Sequence, residues 1–312
     1  MMKKTLGIHH ITAIVGHPQE NVDFYAGVLG LRLVKQTVNF DDPGTYHLYF
    51  GDEKAKPGTI ITFFPWAGAR QGVIGDGQVE VTSYVVPKGA MEFWENRLQN
   101  FQVSYSKNER FGEEYLKFDD PHGLHLEIVE REEGEINTWT FGGVTPEVAI
   151  KGFGGATLLS EQPAKTAELL ENVMGLEKVG EEGNLIRFRS VGELGNIIDL
   201  KLTTVGRGTM GVGTVHHIAW RAQDDQDQLD WKQHVENNGY HVTSVKDRNY
   251  FNAIYFRERG KILFEIATDL PGFAHDESPE TMGEELKLPA QYESQRGKLV
   301  EGLIPFKVRE LN

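Results

Sequence analysis

Ile8-His9-His10-Ile11-Thr12-Ala13-Ile14-Val15 is the stretch that decides the fold, because its His-His-Ile triplet returns in Val215-His216-His217-Ile218-Ala219-Trp220. Each copy opens a run of apolar residues that predicts a β-strand. The second copy is followed by Lys261-Ile262-Leu263-Phe264-Glu265-Ile266-Ala267, another strand-like run, which contains a carboxylate. Two histidines and one carboxylate on separate strands indicate a metal site with open coordination positions, the pattern that non-heme Fe(II) favours.

The rest of the chain repeats one pattern, in which a strand is followed by a helix and then by two or three strands. The first strands of the four predicted units cover 8–15, 79–86, 154–160 and 214–221. Their predicted helices cover 20–29, 89–100, 163–174 and 227–238. Two helix ends look like one piece of sequence used twice, Val28-Leu29-Gly30-Leu31 and Val173-Met174-Gly175-Leu176. Such a repeat predicts an α+β protein of stacked supersecondary units.

We expect the four units to be paired into two domains, each with a cupped mixed sheet, followed by a tail. The N-terminal domain would carry His10, and the C-terminal domain would carry His217 and Glu265. The predicted bounds of the two domains and the tail are 1–145, 146–271 and 272–312. Gly142-Gly143-Val144-Thr145-Pro146 suits the boundary between the domains. The tail is rich in proline and shows little periodicity, so we expect it to lie on the surface.

Composition excludes several classes of function. Over 312 residues, 46 acidic side chains outweigh 32 basic ones, for a net charge of −14, which disfavours nucleic acid and anionic membranes as partners. No apolar run approaches the roughly 20 residues that span a bilayer. The chain has no cysteine, so disulfides, thiolate catalysis and cysteine-bound zinc are excluded. These features lead us to expect a soluble cytoplasmic protein, and they leave open whether it forms a homo-oligomer.

Strand geometry alone does not say which histidine of each pair binds the metal. Simple alternation places one of two adjacent side chains in the cup, whereas a β-bulge could bring both near the site. A second carboxylate, Glu127, lies in a strand that parallels the strand of Glu265, but the first strands of units two and three supply no histidine. A metal site needs its full set of ligands. We therefore expect a single site between units one and four.

Five segments resemble the hydroquinone-type ring-cleaving dioxygenases, a group within the vicinal oxygen chelate superfamily that also contains glyoxalase I. They are Gly7-Ile8-His9-His10-Ile11-Thr12, Tyr46-His47-Leu48-Tyr49-Phe50, Asn196-Ile197-Ile198-Asp199-Leu200, Val215-His216-His217 and Pro271-Gly272-Phe273-Ala274-His275-Asp276-Glu277. The resemblance runs along nearly the whole chain, including the tail. It implies the vicinal oxygen chelate fold, with four βαββ(β) units and a metal in the cup.

The resemblance also implies a ligand set and a reaction. By motif, the metal ligands fall on His10, His217 and Glu265. The positions near the substrate, taken as catalytic candidates, fall on His9, His216, Thr12, Arg248 and Tyr255. The implied cofactor is Fe(II), with Mn²⁺ as a substitute, and no organic cofactor is expected. The implied partners are O2 and a small aromatic diol, either a hydroquinone or a catechol. The expected enzyme is a ring-cleaving dioxygenase that detoxifies quinones and hydroquinones.

Two other functions on the same fold remain as alternatives. A glyoxalase-like metal-dependent isomerase or lyase is the first, although glyoxalases usually use more carboxylate ligands than His10, His217 and Glu265 provide. The second is a metal-free protein that sequesters a quinone or a drug, against which the complete ligand set argues. The sequence shows no phosphate-binding glycine loop and no Gly-x-Ser-x-Gly nucleophile elbow.

Overall fold

The computed structural model describes residues 3–311, which form four units with the same order of elements, βαβββ. Unit one consists of β1 Ile8–Val15, α1 Pro18–Val22 continued by the π-helix Asp23–Val28, β2 Arg32–Val38, β3 Tyr46–Gly51 and β4 Ile60–Pro65. Unit two consists of β5 Gln78–Val86, α2 Met91–Asn100, β6 Tyr105–Arg110, β7 Glu113–Asp119 and β8 His125–Glu130. Every unit therefore contributes four strands and one helical segment.

The second half of the chain repeats the arrangement and then adds short helices. Unit three consists of β9 Gly152–Leu159, α3 Pro163–Asn172, β10 Glu177–Glu182, β11 Leu185–Arg189 and β12 Ile197–Lys201. Unit four consists of β13 Thr214–Ala222, α4 Asp225–Asn237, β14 Lys246–Asp247, β15 Phe251–Arg257 and β16 Leu263–Pro271. The tail carries the 3₁₀ helices Phe273–His275 and Ala290–Gln295 and the helix α5 Arg296–Gly302.

The sixteen strands form two curled mixed sheets of eight strands each. The first sheet has the order β14-β15-β16-β13-β1-β4-β3-β2, and the second has the order β10-β11-β12-β9-β5-β8-β7-β6. The first sheet therefore joins units one and four, and the second joins units two and three. This architecture is that of the vicinal oxygen chelate fold, which confirms the predicted fold class.

At the centre of each sheet, the first strands of two units pair antiparallel, while each unit's own first and last strands pair parallel. An approximate twofold relation between the units follows from this pattern. In the first sheet it places β1 beside β13, and thus brings the two His-His-Ile triplets together. The predicted domain division near residue 145 stays a prediction. Each sheet takes one unit from either side of that point.

The first helix departs from a regular α-helix, because its second half is a π-helix. Its end is set by Gly30, which has a φ of +70° and directly follows the predicted helix 20–29. A Cβ at Gly30 would lie 2.6 Å from a side-chain carbon of Val144, so any larger residue would clash there. Residues from the boundary region near 145 thus pack directly against the end of the first helix.

The hydrophobic core fills the space around both sheets, and the tail closes part of the first one. Phe273 and Met282 of the tail are buried in a cluster with Tyr49, Tyr250 and other side chains of the first sheet. The predicted surface tail therefore also inserts apolar side chains into the body of the protein. Within residues 3–311, no helix combines the length and the apolar character needed to cross a membrane.

Candidate metal centre

The three predicted metal ligands lie on three strands of the first sheet, β1, β13 and β16. His10 of β1 pairs with Ala219 of β13, and Ala219 pairs in turn with Glu265 of β16. Residues paired in this way point to the same face, and His217, two residues before Ala219, points there too. Because alanine is small, it leaves room above the sheet for the two imidazoles and the carboxylate to meet.

Two β-bulges explain why each triplet contains two histidines. The pairing of β1 with β13 shifts register at His9, and it shifts again at His216 on the opposite strand. A bulged residue breaks the alternation of side chains between the two faces. His9 therefore lies beside His10, and His216 lies beside His217, at the centre of the same site. The bulges thus bring both histidines of each pair to the site, which the alternation of side chains alone had left undecided.

The donor atoms of the triad are close enough to share one ion. The Nε2 atoms of His10 and His217 lie 3.3 Å apart, and Oε2 of Glu265 lies 2.8 Å from Nε2 of His217 and 3.5 Å from Nε2 of His10. All three residues are buried. Among the described residues, neither Glu265 oxygen has a donor in hydrogen-bonding geometry. A buried carboxylate in that state requires a cation, so the residues fit a divalent metal.

Each ligand histidine is held by its preceding neighbour in the chain. The Nδ1 atoms of His9 and His10 lie 2.9 Å apart, and those of His216 and His217 lie 2.8 Å apart. If Nε2 of each ligand binds the metal, its Nδ1 carries the proton and donates it to the neighbour. The neighbours then carry their own proton on Nε2. The backbone carbonyl of Thr268 faces the His9 ring and partly offsets the lowering of the His9 pKa by burial.

The protonation states suit metal binding. Burial disfavours the charge of Glu265, but the adjacent imidazoles hold the pKa of this carboxyl well below its usual range. Burial lowers the pKa of His217, and burial together with His217 lowers the pKa of His216 to about 3. A carboxylate and neutral imidazoles are the forms that ligate a divalent cation.

A cavity of about 340 Å³ opens onto the triad. Six aromatic side chains line its wall, and polar and charged groups lie among them. The aromatic residues are Phe40, Tyr49, Phe64, Trp66, Phe251 and Tyr255. Such a cavity, with aromatic surfaces and convergent polar groups, suits a small ring compound. A larger groove, of about 820 Å³, is lined by none of these residues.

The predicted catalytic residues differ in their access to this cavity. His216, Arg248 and Tyr255 line it, whereas His9 and Thr12 are buried and do not. The guanidinium of Arg248 lies 5.6 Å from the centre of the Tyr255 ring, and its Nε lies 3.3 Å from the phenol oxygen. Burial, followed by the charge of Glu265, raises the pKa of Tyr255 well above its usual range, so this phenol stays protonated.

A hydrogen-bonded chain on β3 and β4 adds two cavity residues, His47 and Tyr49, which were not among the predicted metal ligands or catalytic residues. Tyr49 Oη lies 2.8 Å from Nδ1 of His47, and Nε2 of His47 lies 2.7 Å from Oγ1 of Thr62. Thr62 in turn lies 2.9 Å from Oγ1 of Thr12. Thr12 thus reaches the cavity only through this chain. His47 and Tyr49 are two residues apart on a strand, and that spacing already indicates a shared face.

Comparison with known proteins agrees with this geometry. The family model of the Glyoxalase/Bleomycin resistance protein/Dioxygenase superfamily matches residues 7–266. The chain belongs to this superfamily. It is 78% identical over 312 residues, the full length of both chains, to the Bacillus subtilis (strain 168) protein named ring-cleaving dioxygenase MhqO. It is 37% identical over 304 residues, 94% of each chain, to the chlorohydroquinone/hydroquinone 1,2-dioxygenase of Sphingobium indicum.

A solved structure is also similar. The crystal structure of a protein described as a dioxygenase from Bacillus subtilis superposes with a TM-score of 0.98 at 79% identity, covering 99% of this chain and 100% of that one. The resemblance to the hydroquinone-type group of the glyoxalase/dioxygenase superfamily is therefore confirmed.

The second sheet of this superfamily member holds charged pairs where the first holds the metal triad. Glu127 pairs with Ser83 of β5 just as Glu265 pairs with Ala219 of β13. Both Glu127 oxygens accept hydrogen bonds from Arg110, at 2.8 and 2.6 Å. Arg110 also donates to Asp199 at 2.7 Å. Arginine thus occupies the place that a metal would need, in agreement with a single site between units one and four.

Proposed function

We propose that the protein is an Fe(II)-dependent dioxygenase that inserts O2 into the ring of a hydroquinone-type aromatic diol. The observation that carries the proposal is the triad of His10, His217 and Glu265 facing an aromatic-lined cavity. The ligand set leaves coordination positions open for O2 and a substrate. Kinship with a chlorohydroquinone/hydroquinone 1,2-dioxygenase supports a para-diol substrate and cleavage beside the carbon that bears a hydroxyl.

The two imidazoles and the carboxylate would hold the metal through Nε2 of His10, Nε2 of His217 and the oxygens of Glu265. Bound iron would supply the electron transfer that makes O2 reactive toward the ring, and Mn²⁺ is the expected substitute. The apolar wall of the cavity excludes bulk water and orients the ring of the substrate. The polar groups at the wall then determine which substrate oxygen gains or loses a proton.

In this proposal, His216 acts as a donor. With His217 bound to metal, Nδ1 of His216 accepts a hydrogen bond, and its proton stays on Nε2. Within residues 3–311, His216 makes no other hydrogen bond, so this N–H is available to an oxygen of the ligand. Arg248 and Tyr255 are further donors at the same wall and would stabilise negative charge that develops on substrate or oxygen atoms.

The proton of the substrate hydroxyl would pass to the chain of Tyr49 and His47. When Nδ1 of His47 is the unprotonated nitrogen, the phenol of Tyr49 donates to it, so the phenol oxygen can accept a proton as its own proton moves to the imidazole. Burial, followed by the charges of nearby side chains, lowers the pKa of His47 well below its usual range, so this imidazole is neutral before the reaction. His9, whose second nitrogen faces a backbone carbonyl, would serve to orient His10.

The geometry also bears on the alternatives. In unit one, Thr62 pairs with Thr12 as Glu265 pairs with Ala219 in unit four, so the position that could carry a second carboxylate ligand carries a hydroxyl. A glyoxalase-like isomerase would favour a carboxylate there. A metal-free sequestering protein would leave the buried Glu265 without a counterion, at a cost in stability.

The test is anaerobic loading with Fe(II), metal analysis, and O2 consumption with hydroquinone, 2-methylhydroquinone and catechol. We expect about one iron per chain and O2 uptake that is fastest with a para-diol. His217→Ala should abolish both. His241→Ala, which alters an exposed histidine, is the matched control. Bound metal without O2 uptake would favour the isomerase, and absence of bound metal would favour the sequestering protein.

The physiological part of the proposal is the cytoplasmic detoxification of quinones and hydroquinones. Ring cleavage removes a compound that cycles between hydroquinone and quinone, and the product no longer takes part in that cycle. Deletion of the gene in its host should therefore increase sensitivity to 2-methylhydroquinone, and the His217→Ala variant should fail to restore resistance. Restoration by the inactive variant would contradict an enzymatic role.

A further inference from the structure

At the mouth of the cavity, Arg248 of the wall forms an ion pair with the exposed carboxylate of Asp41. Arg248 donates from Nη2 to Oδ2 of Asp41 at 2.9 Å. The Arg248 side chain is 15% exposed, whereas that of Asp41 is 68% exposed. We call this ion pair the mouth pair. It joins the turn between β2 and β3 to the loop before β15, and both residues line the cavity.

The two partners are held very differently. Arg248 is fixed by Tyr255, which lies against its Nε, and by its own backbone, whose N–H donates to the carbonyl of Phe251 at 3.0 Å. The Asp41 carboxylate has Arg248 as its hydrogen-bond partner, and its pKa is lowered by that contact, so it is ionised. Because ion pairs with an exposed partner contribute little to stability, Asp41 can leave Arg248 at low cost.

Charge at the mouth favours an anion. Lys246, from the strand just before Arg248, also lines the cavity and is exposed. Asp41 and Glu265 are the acidic residues of the cavity wall, and Glu265 belongs to the metal triad. If Asp41 swings out, two cations remain at the mouth of a protein whose net charge is −14. The planar guanidinium of arginine matches the geometry of a carboxylate, with two parallel hydrogen bonds.

We propose that the mouth pair is a carboxylate-binding subsite in which Asp41 occupies the place of a ligand carboxylate. A ligand with a ring or an unsaturated chain in the cavity and a carboxylate at the mouth displaces Asp41 and binds Arg248. Asp41 acts as a built-in competitor that weakens such binding. The subsite takes aromatic carboxylates and unsaturated carboxylic acids as its ligand class.

The role of this subsite in turnover rests on the proposed function. Cleavage beside the hydroxyl-bearing carbon, with both O2 atoms retained, breaks one carbon–carbon bond. It turns the hydroxyl-bearing carbon into a carboxylic acid and its neighbour into an aldehyde. The acid ionises, so the product carries a carboxylate that the diol lacks. Asp41 would compete with that carboxylate for Arg248 and promote release of the product.

The experiment measures binding without turnover. We would titrate 4-hydroxybenzoate, and its neutral counterpart 4-hydroxybenzamide, into metal-loaded protein in the absence of O2. Binding is followed by calorimetry and by the intrinsic tryptophan fluorescence, to which Trp66 of the cavity wall contributes. Asp41→Asn should tighten binding of the carboxylate by about two- to fivefold, the factor that corresponds to an exposed ion pair, and should leave the amide unchanged. Arg248→Gln should weaken binding of 4-hydroxybenzoate by about tenfold or more.

Asp42→Asn is the matched control, because it removes the same charge from the adjacent exposed position of the same turn. Asp42→Asn should change the affinity neither for 4-hydroxybenzoate nor for 4-hydroxybenzamide. Thermal unfolding of each variant shows whether it is folded. If Arg248→Gln does not fold, Arg248→Lys takes its place, and because lysine keeps the charge without the planar guanidinium, it should cause an intermediate loss of affinity for the carboxylate.

Two results would overturn the subsite. One is an Asp41→Asn variant that affects acid and amide equally or weakens the acid. The other is an acid affinity that Arg248→Gln leaves intact but metal removal abolishes, because the carboxylate would then bind the metal itself. O2 uptake is measured separately. Its absence, together with tighter acid binding in Asp41→Asn, would refute the dioxygenase and leave the subsite standing.

Discussion

Glu265 is the residue on which the metal centre depends most. It is fully buried, and within the described chain no donor satisfies either of its oxygens. Without metal, that carboxylate has imidazoles beside it, and a bound cation would supply a full countercharge. Metal binding and folding are therefore coupled through this one side chain.

The coupling gives a prediction that does not depend on activity. Metal at about 100 times its dissociation constant should raise the free energy of unfolding of the native sequence by about 2.7 kcal/mol. Glu265→Gln should show little of this gain, because it lacks the anionic ligand. Denaturant unfolding with and without Mn²⁺ measures both. Glu127→Gln, at the corresponding place in the second sheet, should keep the gain, and an equal gain in Glu265→Gln would contradict the assignment.

A second residue-scale prediction concerns His9. Loss of the group that orients a metal-binding histidine usually lowers metal affinity about 10- to 100-fold, so we expect that loss in His9→Ala. Competition with a chelator measures it, and His241→Ala serves as the control. Phe251 also packs against the His10 ring, with centroids 4.9 Å apart. An unchanged affinity in His9→Ala would mean that this packing alone orients His10.

At the scale of strands, the two sheets share a geometry and differ in chemistry. The central pair β5 and β9 shifts register at Glu80 and Gly154, as β1 and β13 do at His9 and His216. The bulges are therefore a property of the repeated unit. Histidine occurs at the bulges of the first sheet alone, and the second sheet fills its interior with arginine–carboxylate pairs.

Those pairs carry an element-scale prediction. Arg110 is the shared donor to Glu127 and Asp199, whose side chains are 3% and 2% exposed. Arg110→Ala would leave the buried Glu127 without its partner, whereas Asp199 would keep Arg187. Loss of one partner of a buried pair typically costs about 3–5 kcal/mol of folding free energy. The metal content should stay the same, because the triad is in the other sheet. Lys107→Ala, an exposed ion-pair residue on the same strand β6, should have little effect on unfolding. A comparable loss in both variants would contradict this account.

At the scale of the whole molecule, the tail supports the cavity wall. The ammonium of Lys35, a fully buried side chain of β2, binds the carboxylates of Asp276 and Glu277. Tyr250 donates to Asp276 at 2.9 Å, and Phe273 stacks on Tyr250 with centroids 5.3 Å apart. Through these contacts the tail packs against residues that neighbour the cavity.

Lys35→Met should loosen this attachment. The Glu277 side chain is 3% exposed, so it would remain buried without its counterion or pull the tail away from the sheet. We expect a Glu-specific protease to cleave the tail markedly faster in this variant than in the native sequence. Lys56→Met, which breaks an ion pair at the surface, should leave the cleavage rate unchanged. Equal rates in all three proteins would show that other contacts hold the tail.

Much of the site was visible in the sequence, and its arrangement was not. The repeated triplets and Glu265 are chemical facts of the chain, and the periodicity of the four units predicts their strands and helices closely. The predicted helix 20–29, for example, appears as α1 Pro18–Val22 and the π-helix Asp23–Val28. Tyr49 was not among the predicted site residues, although it shares a face with His47. The roles of His9, His216, Thr12, Arg248 and Tyr255 stay predictions until they are measured.

The sequence by itself determined the ligand chemistry, the repeated unit and the family to which the chain belongs, because residue types and local periodicity are properties of short segments. Only the tertiary structure decided that units one and four share a sheet, that bulges bring both histidines of each pair to one site, and that Asp41 meets Arg248. The physical reason is that packing over the whole molecule selects which distant strands pair and in which register. The alternation of side chains within a single strand contains no information about that choice.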